Sequence, residues 1–255
     1  MILAIDVGNT HIVLGCIENG EILNIVRIQT NPHETTTEYA IKLKDIMELY
    51  EINPSGLEGA IISSVVPPVT QVLTEAVKML TGQDCMIVGP GMKTGMNIRI
   101  DDPGTLAPDI LVGSIAAMEY YGAPAIIMDL GTATTIVAVD ENRCYRGGAI
   151  LPGVKLSYEA LASGTSLLPD IYITEPPKVI GTNTVDAMRS GAVFSTAAAL
   201  DGMIERMEAE LGYPCKPVAT GGLAQAIAPH CKHEIACDND LLLKGLWILY
   251  SKNKK

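Results

Sequence analysis

The chain has 255 residues, of which 48% are hydrophobic and only 18% charged, with a mean hydropathy of +0.27. That length admits one large domain or two of about 120 residues each, and so apolar a chain is expected to bury surface against a partner subunit. A formal net charge of −11, with no basic cluster outside residues 252–255, argues against nucleic acid as a partner, which needs a basic surface.

In chain order, residues 2–5 form a short apolar run that reads as a buried strand ending on Asp6. The chain turns through Gly8, Asn9 and Thr10 into a second apolar run at 12–17. Asn19-Gly20 between apolar runs is a strong hairpin signal, so 21–28 becomes the third strand of an antiparallel meander. Tyr39, Ile41, Leu43, Ile46 and Leu49 recur at helical spacing behind a threonine cluster, which predicts a helix over 35–50. A strand at 59–63 follows. Pro67-Pro68 then precedes a helix at 69–80, and a strand at 85–88 closes the series.

This β-β-β-α-β-α-β order is that of the ribonuclease-H-like unit found in actin, Hsp70 and sugar kinases. It starts again with strands at 125–129, 135–139 and 144–150, helices at 155–165 and 184–211, a strand at 218–220 and a closing helix at 241–251. The expected fold is therefore α/β: two duplicated ribonuclease-H-like domains, each a mixed five-stranded sheet with flanking helices. Their expected limits are 1–117 and 118–255, joined near 104–122, with a nucleotide cleft between them. The most apolar window, 120–139, carries Asp129 near its middle and reads as two strands around an acid, not a membrane span. No signal peptide is expected, since the N-terminus lacks a basic region and Asp6 interrupts the first apolar run. Six cysteines without C-x-x-C spacing fit reduced thiols and a cytoplasmic protein.

The first turn returns as Asp129-Leu130-Gly131-Thr132-Ala133-Thr134-Thr135. A strand, an acid, a glycine and a hydroxyl make a hairpin whose backbone N–H groups can hold phosphate oxygens, while the acid can hold a cation. One such Asp could be an ordinary turn residue. Two at equivalent places in a repeat point to Asp6 and Asp129 organising a hydrated cation near ATP phosphates, with hydroxyls from Thr10, Thr132, Thr134 and Thr135. Thr220-Gly221-Gly222 follows an apolar strand, and paired glycines let backbone approach an adenine and ribose closely.

The candidate catalytic carboxylate is Asp109, in Leu106-Ala107-Pro108-Asp109-Ile110 at the start of a helix over 110–121. Proline and aspartate also suit a first helical turn on structural grounds alone, and Asp101 and Asp102 are rival acids. Two patterns are discounted. Gly89…Gly95 lacks the glycine that a Walker loop has before Lys93-Thr94. His230-Cys231-Lys232-His233…Cys237 has no tight zinc spacing and reads as a surface turn.

Along almost its whole length the chain resembles the type III pantothenate kinases. The stretches that carry the likeness include Asp6-Val7-Gly8-Asn9-Thr10, Met128–Thr135, Gly147-Gly148-Ala149-Ile150-Leu151-Pro152-Gly153, Ser157…Glu159-Ala160-Leu161, Leu168-Pro169, Ile180-Gly181-Thr182-Asn183-Thr184 with Ala187-Met188, and Thr220–Ala224. The resemblance implies an acetate-kinase/Hsp70/actin-type fold, a homodimer, and transfer of the γ-phosphoryl of ATP to pantothenate in the first step of coenzyme A synthesis. It implies that Asp6, Val7, Gly8, Asn9, Thr10, His11, Ile12 and Val13 bind ATP phosphates, with Thr132 also on ATP. Asp109 would be the general base and Asp129 the ligand of potassium or ammonium. A divalent metal, Mg²⁺, would be held near Asp6 through water. Ile100, Ala107, Pro108, Asp109 and Ile110 would line the pantothenate site, and Thr184 would reach it across the dimer.

The chain departs from the usual family pattern at Ile100, Ile110 and Gly164, where a tyrosine and two arginines are common; Arg99, Lys155 and Arg189 are candidate replacements. These departures motivate a second expectation, a same-fold kinase acting on another small alcohol. A non-catalytic nucleotide-binding regulator is a third, disfavoured because Asp6, Asp109 and Asp129 are all kept.

Overall fold

The computed structural model describes residues 1–254. Its elements are strands β1 (Ile2–Val7), β2 (His11–Glu18) and β3 (Glu21–Gln29), helix α1 (Thr36–Leu49), β4 (Gly59–Ser64), α2 (Pro67–Thr81), β5 (Cys85–Ile87), β6 (Asn97–Ile98) and α3 (Pro108–Tyr120). There follow β7 (Ala125–Leu130), β8 (Ala133–Val139), β9 (Cys144–Pro152), α4 (Val154–Ser163), α5 (Thr184–Ser190) and α6 (Thr196–Leu211). The chain ends with β10 (Lys216–Thr220), α7 (Ala224–Ile227), β11 (Ala236–Cys237) and α8 (Leu241–Asn253). Two compact units result: Met1–Gly95, Asp102–Ala116 and Leu241–Lys255 form one, and Met96–Asp101 with Ala117–Asp240 the other.

In the first unit the sheet order is β3-β2-β1-β4-β5. The hairpins β1–β2–β3 are antiparallel, and β4 and β5 run parallel to β1. Every residue of the central β1 is buried, as its unbroken apolar run requires of a strand covered on both faces. Asn19 and Gly20 make the β2–β3 turn with φ of 52° and 89°, the two positive values that an Asn-Gly hairpin supplies at little strain. Thr35 and Glu38 close a capping box on α1, and Pro67 opens α2. Tyr39, Leu43, Leu73 and Val77 from these helices pack with Ile5, Ile12 and Ile62 of the sheet into one core.

The second sheet repeats the order as β9-β8-β7-β10-β11 and carries β6 as a sixth strand outside β9. The expected duplicated α/β fold is present. The additions are the two short strands β6 and β11, the latter formed by Ala236–Cys237 in the segment that reads as a surface turn. The helix expected over 184–211 is interrupted by a π-helical stretch at Gly191–Ser195, where a Cβ on Gly191 would lie 2.5 Å from the Tyr158 hydroxyl. Among the described residues no helix is long and apolar enough to cross a membrane, and all six cysteines are free thiols.

Buried Asp201 on α6 fastens the chain entering β11. It accepts the backbone N–H of Lys232 at 2.8 Å and of His233 at 3.1 Å, and pairs with His233 Nδ1 at 2.8 Å. Burial opposes its ionisation, yet these hydrogen bonds hold the carboxyl below the usual carboxylate range. A depressed folded pKa stabilises above the unfolded pKa, and that contribution is lost as pH falls through the folded value. Asp201→Ala is expected to cost about 2–3 kcal/mol at neutral pH by leaving these donors unpaired, read from denaturant midpoints, with the gap narrowing in acid. An unchanged neutral midpoint would remove this role.

Candidate active site

In the first unit the candidate turn joins β1 to β2. Asp6 is 8% exposed and sits in register between Val13 of β2 and Ser63 of β4. Gly8 N–H donates to His11 O at 2.9 Å, closing the turn and leaving Asn9, Thr10 and His11 exposed at its tip. Val7 and Ile12 are core residues at 1% and 0% exposure, so of the eight expected contacts these two can offer a ligand only backbone. Val13 is half-buried.

The second unit builds a turn one residue shorter at the equivalent place, between β7 and β8. Asp129 lies in register between Thr135 of β8 and Thr220 of β10, the places held by Val13 and Ser63 around Asp6. Gly131 N–H donates to Ala133 O at 3.1 Å, the counterpart of the Gly8 bond across one residue fewer, and Thr132 is exposed. The two glycines after β10 separate in role. Gly221 has φ +93°, and a Cβ there would fall 2.5 Å from Asp129 Oδ1 and 2.7 Å from Leu130 N, so the loop lies directly on the carboxylate. Gly222 is exposed, with nothing within 4 Å of an added Cβ.

Asp109 is the second residue of α3, after Pro108, and its Oδ1 accepts the Ile110 N–H at 2.8 Å. Burial pushes its carboxyl above the usual carboxylate range, against the lowering effect of the backbone N–H bonds. The rivals Asp101 and Asp102 are both exposed, and Asp102 is occupied in capping a short 3₁₀ turn through Gly104 N–H at 3.0 Å. Only Asp109 of the three has the half-buried setting that raises a carboxylate towards working basicity. Ala107, Pro108 and Ile110 around it are half-buried as well.

Ile100 belongs to the second unit, 3.6 Å from where a Cβ on Gly147 would stand. That unit also holds an open groove of about 570 Å³, lined by Tyr158, Leu161, Leu168, Asn183, Thr184 and Met188 among others. Of these, sequence reasoning singled out Thr184 as a site residue. The rest lie in or beside the stretches that carried the family likeness, which was the available signal. Of the candidate cations, Lys155 pairs with Glu159 at 3.5 Å on an exposed face, while Arg189 donates to Tyr172 O at 3.2 Å. Among the described residues no cluster of three or more His, Cys, Asp or Glu groups could hold a metal.

Two sheets of one strand order, each with an acid–glycine turn after its first strand, give the chain a duplicated ribonuclease-H-like fold, the fold class of actin, Hsp70 and the sugar kinases. The same fold occurs in the (R)-2-hydroxyglutaryl-CoA dehydratase component A of Acidaminococcus fermentans, with a TM-score of 0.60, 14% identity, and coverage of 100% of this chain and 99% of that one. It occurs too in the activator of the 2-hydroxyisocaproyl-CoA dehydratase from Clostridium difficile, solved with bound ADPNP, with a TM-score of 0.51, 12% identity, and coverage of 97% and 92%.

Within that class the chain belongs to the type III pantothenate kinase family, whose model matches residues 2–206. A type III pantothenate kinase of Halalkalibacterium halodurans is 41% identical over 253 residues, which cover 99% of this chain and 100% of that protein.

Proposed function

We propose that the chain catalyses ATP-dependent phosphorylation of the primary hydroxyl of pantothenate to 4′-phosphopantothenate, opening coenzyme A biosynthesis. The observation that carries this is the full-length 41% identity to a type III pantothenate kinase, in a chain that keeps the acid–glycine turn in both sheets. Phosphoryl transfer asks a protein mainly for positioning and charge stabilisation. The backbone of the Gly8–Thr10 and Gly131–Thr132 turns is assigned to the ATP phosphates, and Gly221 and Gly222 to the nucleoside. Asp109 accepts the proton of the attacking hydroxyl, a task that its half-buried setting suits.

Asp6 and Asp129 fit hard cations by their chemistry. Each is a single carboxylate at a strand end beside phosphate-binding backbone, and Mg²⁺ is commonly held by one or two carboxylates plus substrate phosphates. Asp129 is assigned to K⁺ or NH₄⁺ and Asp6, through water, to Mg²⁺; such cations neutralise phosphate charge. A homodimer is favoured by the exposed apolar side chains Leu167, Tyr172, Val179 and Ile180, at 63–90% exposure, beside the groove that holds Thr184. Cytoplasmic residence agrees with six free cysteines.

The test is the purified protein with ATP, Mg²⁺ and either K⁺ or Na⁺, assayed against pantothenate and a panel of small alcohols. Turnover of pantothenate, strongly favoured by K⁺ or NH₄⁺, is expected. Equal rates in Na⁺ would remove the monovalent role of Asp129. Preference for another alcohol would move the substrate assignment and point to Ile100, Ile110 and Gly164 as its cause.

A further inference from the structure

The phosphate turns must keep a fixed shape if backbone N–H groups are to receive phosphate, and one position in each sheet holds them. In the first unit that position is Thr30, the residue immediately after β3. Its N–H donates to Thr10 O at 3.0 Å, and its Oγ1 donates to Gly8 O at 2.7 Å. In a trans peptide the C=O and N–H of one unit point opposite ways. Holding the Gly8 and Thr10 carbonyls towards Thr30 therefore aims the N–H groups of Asn9 and His11 away from it.

Thr30 is itself tied down. The next residue, Asn31, exchanges two hydrogen bonds with the Tyr39 hydroxyl, receiving one on its carbonyl at 3.0 Å and donating one from its N–H at 3.1 Å. Tyr39 is fully buried in the core of α1. A continuous strut thus runs from the core helix through Asn31 and Thr30 to the turn.

The second sheet has the same device at the equivalent place. His11 lies opposite Gln29 as Ala133 lies opposite Pro152, so Gly153, the residue after β9, corresponds to Thr30. Gly153 N–H donates to Thr132 O at 3.2 Å, as Thr30 N–H does to Thr10 O. It has no hydroxyl to offer, and a Cβ there would fall 2.1 Å from Thr132 O and 2.6 Å from Gly131 O. The bare backbone lies on the turn itself. One position after the third strand is thus spent on the turn in both sheets, by a hydroxyl in one and by close backbone contact in the other.

We infer that Thr30 is a positioning residue for nucleotide binding, acting through its hydroxyl bond to Gly8, with Gly153 as its counterpart at the second turn. This rests on assigning the Gly8–Thr10 turn to ATP phosphates.

The test measures equilibrium binding of ADP and of a non-hydrolysable ATP analogue to the full chain, its T30V and T30S variants, and T30A should T30V fail to fold. KM for ATP, KM for pantothenate and the melting temperature are followed alongside. T30V is expected to weaken nucleotide binding by about 5–10-fold, the effect of one lost hydrogen bond, and to raise KM for ATP while leaving KM for pantothenate in place. T30S is expected to restore binding. Unchanged nucleotide affinity in T30V or T30A, or T30S failing as they do, overturns the inference while the function stands. If the unaltered chain binds neither nucleotide, the assignment of the turn falls and this inference with it.

Discussion

Asp109→Asn is expected to lose turnover by about 10²–10⁴-fold, the usual effect of removing a general base, while the fold holds or gains stability. The amide keeps an oxygen for the Ile110 N–H that Oδ1 now accepts at 2.8 Å. It removes the carboxylate charge that burial disfavours. A carboxyl whose folded pKa is raised contributes stability below its unfolded pKa, and that contribution is lost as pH rises through the folded value. At neutral pH the native chain therefore carries a penalty that the amide lacks, as groups strained for function commonly do. Thermal melts at neutral and acid pH should show Asp109→Asn equal or higher at neutral pH, with the difference vanishing in acid. The acid limb of the parent enzyme's kcat/KM should lie above the ordinary carboxylate range, because the base works deprotonated. A variant that keeps most of its rate would take the role of base from Asp109.

Gly221→Ala is expected to damage both fold and site. At φ +93° an L side chain is strained by about 1–2 kcal/mol. Its Cβ would also lie 2.5 Å from Asp129 Oδ1 and 2.7 Å from the Leu130 backbone, where overpacking typically adds about 1–3 kcal/mol. Because the atom displaced is the Asp129 carboxylate, activity should fall by about 10²-fold, the scale of a misplacement near 1 Å. Gly222→Ala is the matching control for stability. Nothing stands within 4 Å of its added Cβ, so its melting temperature should stay near that of the parent, and any loss of nucleotide affinity would report a direct ligand contact. Similar unfolding midpoints for Gly221→Ala and the parent would contradict the close approach.

Local chemistry made much of this protein legible in its sequence. The meander β1–β3 was readable because Asn19-Gly20 is a turn that few other dipeptides make and because the buried strand is an unbroken apolar run. The start of α1 was readable from Thr35, whose hydroxyl and backbone complete a box with Glu38. Both acid–glycine turns stood out because the same residue types recur in the same order, and registry places Asp6 and Asp129 at matching positions.

Other features depend on residues distant in sequence. β6 and β11 are two residues each, too short for a period of two to appear, and they exist because β9 and β10 offer open edges. The π-helical stretch at Gly191–Ser195 has Tyr158 from α4 standing against its first residue, a contact between segments far apart in the chain. Helix α8 ends the chain yet groups with the first unit, where its Tyr250 hydroxyl donates to Glu58 O at 3.3 Å.

By itself the sequence determined the repeated strand order, the two acid-bearing turns and the family, since these rest on neighbouring residues and on motifs in order. Tertiary structure decided what each motif residue can do. Packing put Val7 and Ile12 into the core, laid Gly221 rather than Gly222 on Asp129, and half-buried Asp109 while leaving Asp101 and Asp102 in solvent. Burial and close approach are sums over atoms far apart in the chain, and no local pattern contains them.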